Sequence, residues 1–157
     1  MASLLAFMGI AAGAVGIFFG FFYSGEQPEL ALRIVTFAAV GVVGVLAFVR
    51  HVFFYKQDMV RLGWKTDRPD WIFEVGFANL AFGAAGIAAS LLKTGSGAVT
   101  VALGGYGFYL LQASLLHGYR YFTGEKKSAA RLWRSFITTL LYACMIGYFT
   151  IMSVKGY

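Results

Sequence analysis

The stretch WIFEVGFANLAFGAAGIAASLL, residues 71–92, decides the fold class of this chain. It carries a single charged side chain, Glu74. As a helix rising about 1.5 Å per residue, it is long enough to cross a hydrocarbon layer about 30 Å thick. Strands that cross a membrane need about 10 residues of alternating polarity, and that alternation is absent here. The stretch therefore predicts a transmembrane helix.

Four further apolar runs of similar length flank this one, at residues 2–23, 29–55, 97–122 and 132–154. The chain is 59% hydrophobic and 13% charged, whereas soluble domains are about 25% charged. A soluble globular protein is excluded on that ground. We predict an all-α polytopic membrane protein, in which residues 1–157 form one domain, a bundle of five transmembrane helices.

The basic residues predict the orientation of the bundle. Five of the 13 Lys and Arg residues lie in or next to the loop after the second run, and five lie in or next to the loop between the fourth and fifth runs. Basic loops of this kind remain cytoplasmic, which predicts a multi-pass protein of the cell inner membrane with its N-terminus inside and its C-terminus outside. Basic residues gathered in two short segments do not indicate a nucleic-acid-binding face. The ten residues are Arg50, Lys56, Arg61, Lys65, Arg68, Arg120, Lys126, Lys127, Arg131 and Arg134.

A few polar side chains interrupt the spans, and each is costly in a membrane unless it faces the interior of the bundle. In the predicted orientation all of them lie in the cytoplasmic leaflet, where three helices could bring them to one polar pocket. The candidate site residues for a ligand or partner are Glu74, Asn79, Gln112, His117, Arg50 and His51.

Three interpretations of these residues remain open. Glu74 could pair with Arg50, Arg120 or His117, while amides supply hydrogen bonds to a lipid headgroup, a quinone carbonyl or a partner protein. The polar side chains could instead satisfy one another and fix the register of the helices. Two imidazoles, His51 and His117, could also ligate a haem, although no other metal site is indicated.

Glycine recurs every three or four residues along two of the spans. Small residues at this spacing let membrane helices approach closely, so they favour packing inside the bundle over an oligomer interface. The glycines concerned are Gly9, Gly13, Gly16 and Gly20 in the first span, and Gly76, Gly83 and Gly86 in the third.

The motif EVGFANLAFGAAGI, residues 74–87, resembles the signature of a family of small uncharacterised bacterial membrane proteins that is distantly similar to DoxX-like proteins. The later His-Gly-Tyr at residues 117–119 also fits that family. DoxX-like proteins are four-helix membrane bundles associated with respiratory, quinone-linked or thiol redox systems, whereas the closer family has no established activity, so the resemblance implies a helical membrane bundle. The fifth span and the lack of paired thiols depart from the DoxX pattern, so cysteine redox chemistry is not implied.

These observations lead to three functional hypotheses. The first is a non-enzymatic membrane subunit or accessory protein that binds lipid, quinone or a larger membrane complex through the cytoplasmic-leaflet polar cluster. The second is a membrane redox component that binds haem or quinone, and the third is a small oligomeric transporter or channel with Glu74 in its path. No catalytic motif points to an enzyme, and the cofactor is left undetermined. The expected partners are membrane lipids and either other membrane proteins or a second copy of the chain.

Overall fold

The computed structural model describes residues 1–63, 69–92, 95–124 and 127–155. Across these ranges the regular elements are helices, and none is a strand. Five helices are long and apolar enough to cross a membrane, and a short sixth, α3, joins the second to the third. They are α1 (Ala2–Tyr23), α2 (Pro28–Phe53), α3 (Tyr55–Leu62), α4 (Asp70–Leu91), α5 (Ser96–Thr123) and α6 (Ala129–Lys155).

The fold therefore confirms the all-α class with five membrane-spanning helices, and their ends lie close to those predicted. The prediction of the helix count succeeded because hydropathy and length are local properties of each run. Four basic residues of the connecting loops lie outside the part of the chain that the structure describes. These are Lys65, Arg68, Lys93 and Lys126.

An apolar core lies in the half of the bundle opposite α3. It joins the first turns of α2 and α5 to the last turns of α4 and α6, where large side chains such as Leu103 and Phe149 have no exposed surface. Burial of this kind stabilises contacts between helices through close van der Waals packing, because lipid itself supplies no hydrophobic driving force.

Glycine brings α2 and α4 into backbone contact. A Cβ placed on Gly44 would lie 2.6 Å from the carbonyl oxygen of Asn79, and one on Gly83 would lie 2.9 Å from the amide nitrogen of Val45. Real Cβ atoms do not approach backbone so closely, so the crossing requires glycine on both helices. The packing interpretation of Gly83 is therefore confirmed.

The glycines of α1 divide into two groups. Gly13 faces the ring of Tyr142 and Gly16 faces Ala38, each within 3 Å of an added Cβ, and Gly20 packs against Val35 and Phe149. Gly9 instead has nothing within 4 Å. Three of these four glycines of α1 thus serve packing inside the bundle.

Two of the spans contain a widened π-helical segment, at Thr36–Val42 in α2 and at Leu132–Ile137 in α6. Hydroxyl groups from neighbouring helices bond to carbonyls in both segments. Tyr142 donates to the Ala39 carbonyl at 2.7 Å, and Ser114 donates to the Phe136 carbonyl at 3.4 Å. Such bonds satisfy polar backbone groups that a membrane interior would otherwise leave unpaired.

Candidate interfacial charge site

The short helix α3 folds back against the end of α2. Phe54, with φ −117° and ψ 27°, interrupts the helical run, and Gly63, with φ 70°, ends α3 in a left-handed conformation that suits glycine. The Gln57 side chain accepts a hydrogen bond from the Ala2 amide at 3.2 Å. Because α3 is held at both α1 and α2, it lies beneath the bundle at the predicted cytoplasmic boundary.

This fold-back buries Asp58 against the last turn of α2. Its side chain has no exposed surface, and the Oδ2 atom lies 2.8 Å from His51 Nδ1 and 3.2 Å from Arg50 Nε. Its Oδ1 atom lies 2.8 Å from both Nε and Nη2 of Arg61. We call these four residues the interfacial charge cluster.

The two oxygens of Asp58 are engaged differently. Oδ1 accepts an aligned hydrogen bond from Nε of Arg61 and forms an ion pair with its Nη2, and this guanidinium group comes from one turn further along α3. The contacts to Oδ2 are at ion-pair distance but fall off the hydrogen-bond direction. Arg61 is therefore the more directional partner of this carboxylate, and Arg50 and His51 act on it mainly through charge and proximity.

The contacts of His51 indicate its protonation state. Its Nε2 atom lies 3.2 Å from Nη2 of Arg50. A guanidinium group can only donate, so Nε2 accepts and the ring proton resides on Nδ1, facing Asp58. The imidazole is thus neutral, and one carboxylate is shared by two guanidinium groups. The cluster carries one surplus positive charge.

The cationic partners also control the titration of Asp58. Burial raises the pKa of this carboxyl, but the close contact with His51 and the charges of Arg50 and Arg61 lower it more strongly. The pKa falls from 3.8 to about 2. Asp58 therefore remains ionised throughout the physiological pH range, and the cluster keeps its charge.

A second polar group forms deeper in the bundle, between α4 and α5. Asn79 donates to the Tyr109 hydroxyl at 3.0 Å and to the Val75 carbonyl at 2.8 Å, and it accepts from the Tyr106 hydroxyl at 3.4 Å. Arg50 interacts electrostatically with both tyrosines. The bonding capacity of the Asn79 amide is largely used within the chain, which fixes the register of α4 against α5.

The remaining predicted site residues do not join these groups. Glu74 and Gln112 are exposed on the outer faces of their helices. His117 is half-buried and interacts electrostatically with Arg120 and Arg131. Within the described part of the chain Glu74 forms no ion pair, so the expected pairing with Arg50, Arg120 or His117 is not formed. Instead of the single polar pocket expected from the sequence, the structure forms two groups, the interfacial charge cluster and the hydrogen-bonded group around Asn79.

The haem hypothesis meets a specific obstacle at His51. An iron ligand must offer a free imidazole nitrogen, yet Nδ1 contacts Asp58 and Nε2 contacts Arg50. Moreover, the described residues contain no cluster of three or more His, Cys, Asp or Glu side chains arranged to hold a metal ion. In this arrangement the residues do not fit paired-imidazole ligation.

Sequence reasoning missed Asp58, Arg61, Tyr106 and Tyr109. A signal existed for the first two, because YKQDMVRL, residues 55–62, places an acid and a base three residues apart in an otherwise amphipathic segment. The tyrosines carry no comparable signal, since aromatic residues are common throughout membrane spans. Their role depends on facing Asn79 from another helix.

Comparison with known proteins shows the family of the chain. A family of unknown function (DUF6790) matches residues 2–156, which is nearly the whole chain. The chain belongs to this family. Membership of DUF6790 confirms the prediction of an uncharacterised family. No curated protein and no solved structure matches the chain.

Proposed function

We propose that this protein is a non-enzymatic membrane subunit that binds the phosphate of an anionic lipid headgroup at the interfacial charge cluster. The observation that carries the proposal is that Asp58 is shared by two guanidinium groups, which leaves one positive charge uncompensated. That charge lies where α2 ends, at the depth of lipid headgroups. An anionic leaflet attracts such a charge.

The guanidinium groups retain the donors that a phosphate needs. Arg50 and Arg61 are 19% and 17% exposed, so both reach the surface of the protein. Each guanidinium has five N–H donors, and the contacts to Asp58 and His51 use only some of them. Arginine binds phosphate oxygens in a bidentate manner. Asp58 would orient the two groups and the lipid would neutralise them.

Thermal unfolding in detergent with added lipid tests the proposal. We expect phosphatidylglycerol to raise the unfolding midpoint of the wild type more than phosphatidylcholine does, and Arg61→Gln to remove that difference. Arg33→Gln is the matched control, because Arg33 pairs with the exposed Glu29 at the opposite end of α2. An equal response to both lipids, or an equal loss in the control, would contradict the proposal.

The cellular setting is also proposed here. We place the chain in the cell inner membrane with its N-terminus in the cytoplasm, as an accessory subunit among membrane proteins. The support is the concentration of basic residues in two loops on one side of the bundle. The short connections between spans leave little room for a catalytic domain.

The likeness of residues 74–87 to DoxX-like proteins is a finer proposal, and it would associate the chain with quinone-linked systems. It rests on the sequence motif alone. Neither the redox nor the transport hypothesis gains a supporting contact, because both His51 nitrogens are engaged and Glu74 is exposed. Lipid binding at the charge cluster is therefore the function we favour.

A further inference from the structure

One of the four Asn and Gln side chains lies on an exposed face of a membrane-spanning helix. Of the four, Gln27 lies in a loop, Gln57 bonds the Ala2 amide, and Asn79 bonds two tyrosines. Gln112 alone is both exposed and inside a span. Within the described residues its amide makes no hydrogen bond.

Gln112 lies deep in the membrane. It is 16 residues from Ser96 and 11 from Thr123, or about 24 Å and about 16 Å along the axis of α5. Near the centre of the hydrocarbon layer neither water nor headgroups can satisfy an amide. Polar residues at such depth face protein rather than lipid, so a partner must supply the missing hydrogen bonds.

The surroundings of Gln112 have the pattern of a helix-pairing seam. Exposed side chains follow one another at alternating intervals of four and three residues, with Gly105 at the second position, half-buried where it borders Phe82 of α4. This is the repeat of a left-handed helix pair, in which a polar residue within the seam sets the register. The seam consists of Val101, Gly105, Phe108, Gln112, Leu115, Tyr119 and Phe122.

We infer that this seam is an interface with a second copy of the same chain. The two α5 helices would lie side by side in parallel, related by a two-fold axis that runs between them and passes between the two Gln112 side chains. An amide group carries both a donor and an acceptor, so it is complementary to itself. Two copies inserted in the same orientation place Gln112 at equal depth. Each amide then donates to the other.

The interface is separate from the lipid site. No charge-cluster residue belongs to α5, and the inner face of α5, with Ser114 and Gly118, is already buried against α6. Apart from Gly105, which borders Phe82 of α4, pairing uses the outer face of α5 and leaves the contacts inside the bundle in place. Failure of the lipid proposal would leave this inference intact, and the reverse also holds.

Dimerisation is measured in lipid vesicles by energy transfer between labelled copies at decreasing protein-to-lipid ratios. We expect Gln112→Leu to weaken the wild-type dimer roughly tenfold, as two lost interhelical hydrogen bonds would. Gln27→Leu, the same chemical change outside the membrane, should leave the dimer unaffected. In the monomer this position faces lipid, so Gln112→Leu and the wild type should unfold at the same temperature when both are diluted to monomers.

Disulfide cross-linking gives an independent readout. In a Cys144→Ala background, Leu115→Cys should cross-link across the two-fold axis, while Val15→Cys, on the exposed face of α1, should not. A wild type that stays monomeric at every ratio, or a dimer unchanged by Gln112→Leu, would overturn the inference. So would a complex with a different membrane protein that depends on Gln112.

Discussion

A carboxylate with no exposed surface loses its hydration, and at Asp58 that loss is offset by side chains from two helices. His51 and Arg50 come from the last turn of α2, and Arg61 comes from α3 itself. Removing one member of such a group leaves charges buried without compensation, which costs more than the intact group contributes. The cluster therefore holds α3 in place, whether or not it also binds lipid as we propose.

We expect Asp58→Asn to lower the free energy of unfolding by about 3 kcal/mol, because two guanidinium groups would then face each other without a shared anion. Titration with a denaturing detergent measures this change. Glu29→Gln removes a carboxylate whose side chain is 66% exposed, and it should cost less than about 1 kcal/mol. Similar losses in the two variants would show that Asp58 has no special role.

Acid should weaken the protein through the same residue. The pKa of Asp58 is about 2 in the folded chain, against an ordinary value of 3.8. The stability that this depressed pKa contributes is complete above pH 3.8 and is lost as the pH falls through 2. The unfolding midpoint of the wild type should therefore fall over this window more steeply than that of Asp58→Asn. Parallel pH profiles would argue against ionic stabilisation.

At the level of elements, the pair of α2 and α4 shows how glycine and π-helical geometry act together. Gly41, inside the π segment, packs against Ile87, and Gly44 packs against the backbone of α4 near Gly83. Close backbone contact maximises van der Waals attraction in a membrane. Further along, Gly76 lets α4 pass close to Val52 and His51, next to the charge cluster.

Gly83→Ala should destabilise the bundle by about 1–3 kcal/mol, since its Cβ would overlap the backbone of α2. The free energy of unfolding in detergent measures the loss. Gly9→Ala is the matched control on α1, where an added methyl group meets nothing within 4 Å. It should be neutral or slightly stabilising because alanine favours helix. A neutral Gly83→Ala would refute the close crossing.

For the whole molecule, five spans predict that the chain termini lie on opposite sides of the membrane. Reporter fusions at the two ends should show the N-terminus in the cytoplasm and the C-terminus outside, because the basic loops stay inside. Detecting both ends in one compartment would contradict the five-span topology. Detecting them reversed would contradict only the orientation, and with it the placing of the charge cluster in the inner leaflet.

Which of the polar side chains face the interior of the bundle could be predicted only in part. Glu74 and Asn79 are five residues apart, as are Gln112 and His117. Five residues turn a helix by about 500°, which leaves the two side chains about 140° apart. Members of each pair therefore cannot both face one pocket, and the structure buries Asn79 while exposing Glu74. Sequence alone does not say which member faces inward.

The amino-acid sequence by itself determined the membrane class, the five helices and the glycine-mediated packing, because length, hydropathy and residue size are properties of each segment alone. Only the tertiary structure decided which polar groups meet. The bend at Phe54 brings Asp58 back to Arg50 and His51, and helix rotation turns Asn79 inward. Such contacts depend on the angles between segments, which no single segment encodes.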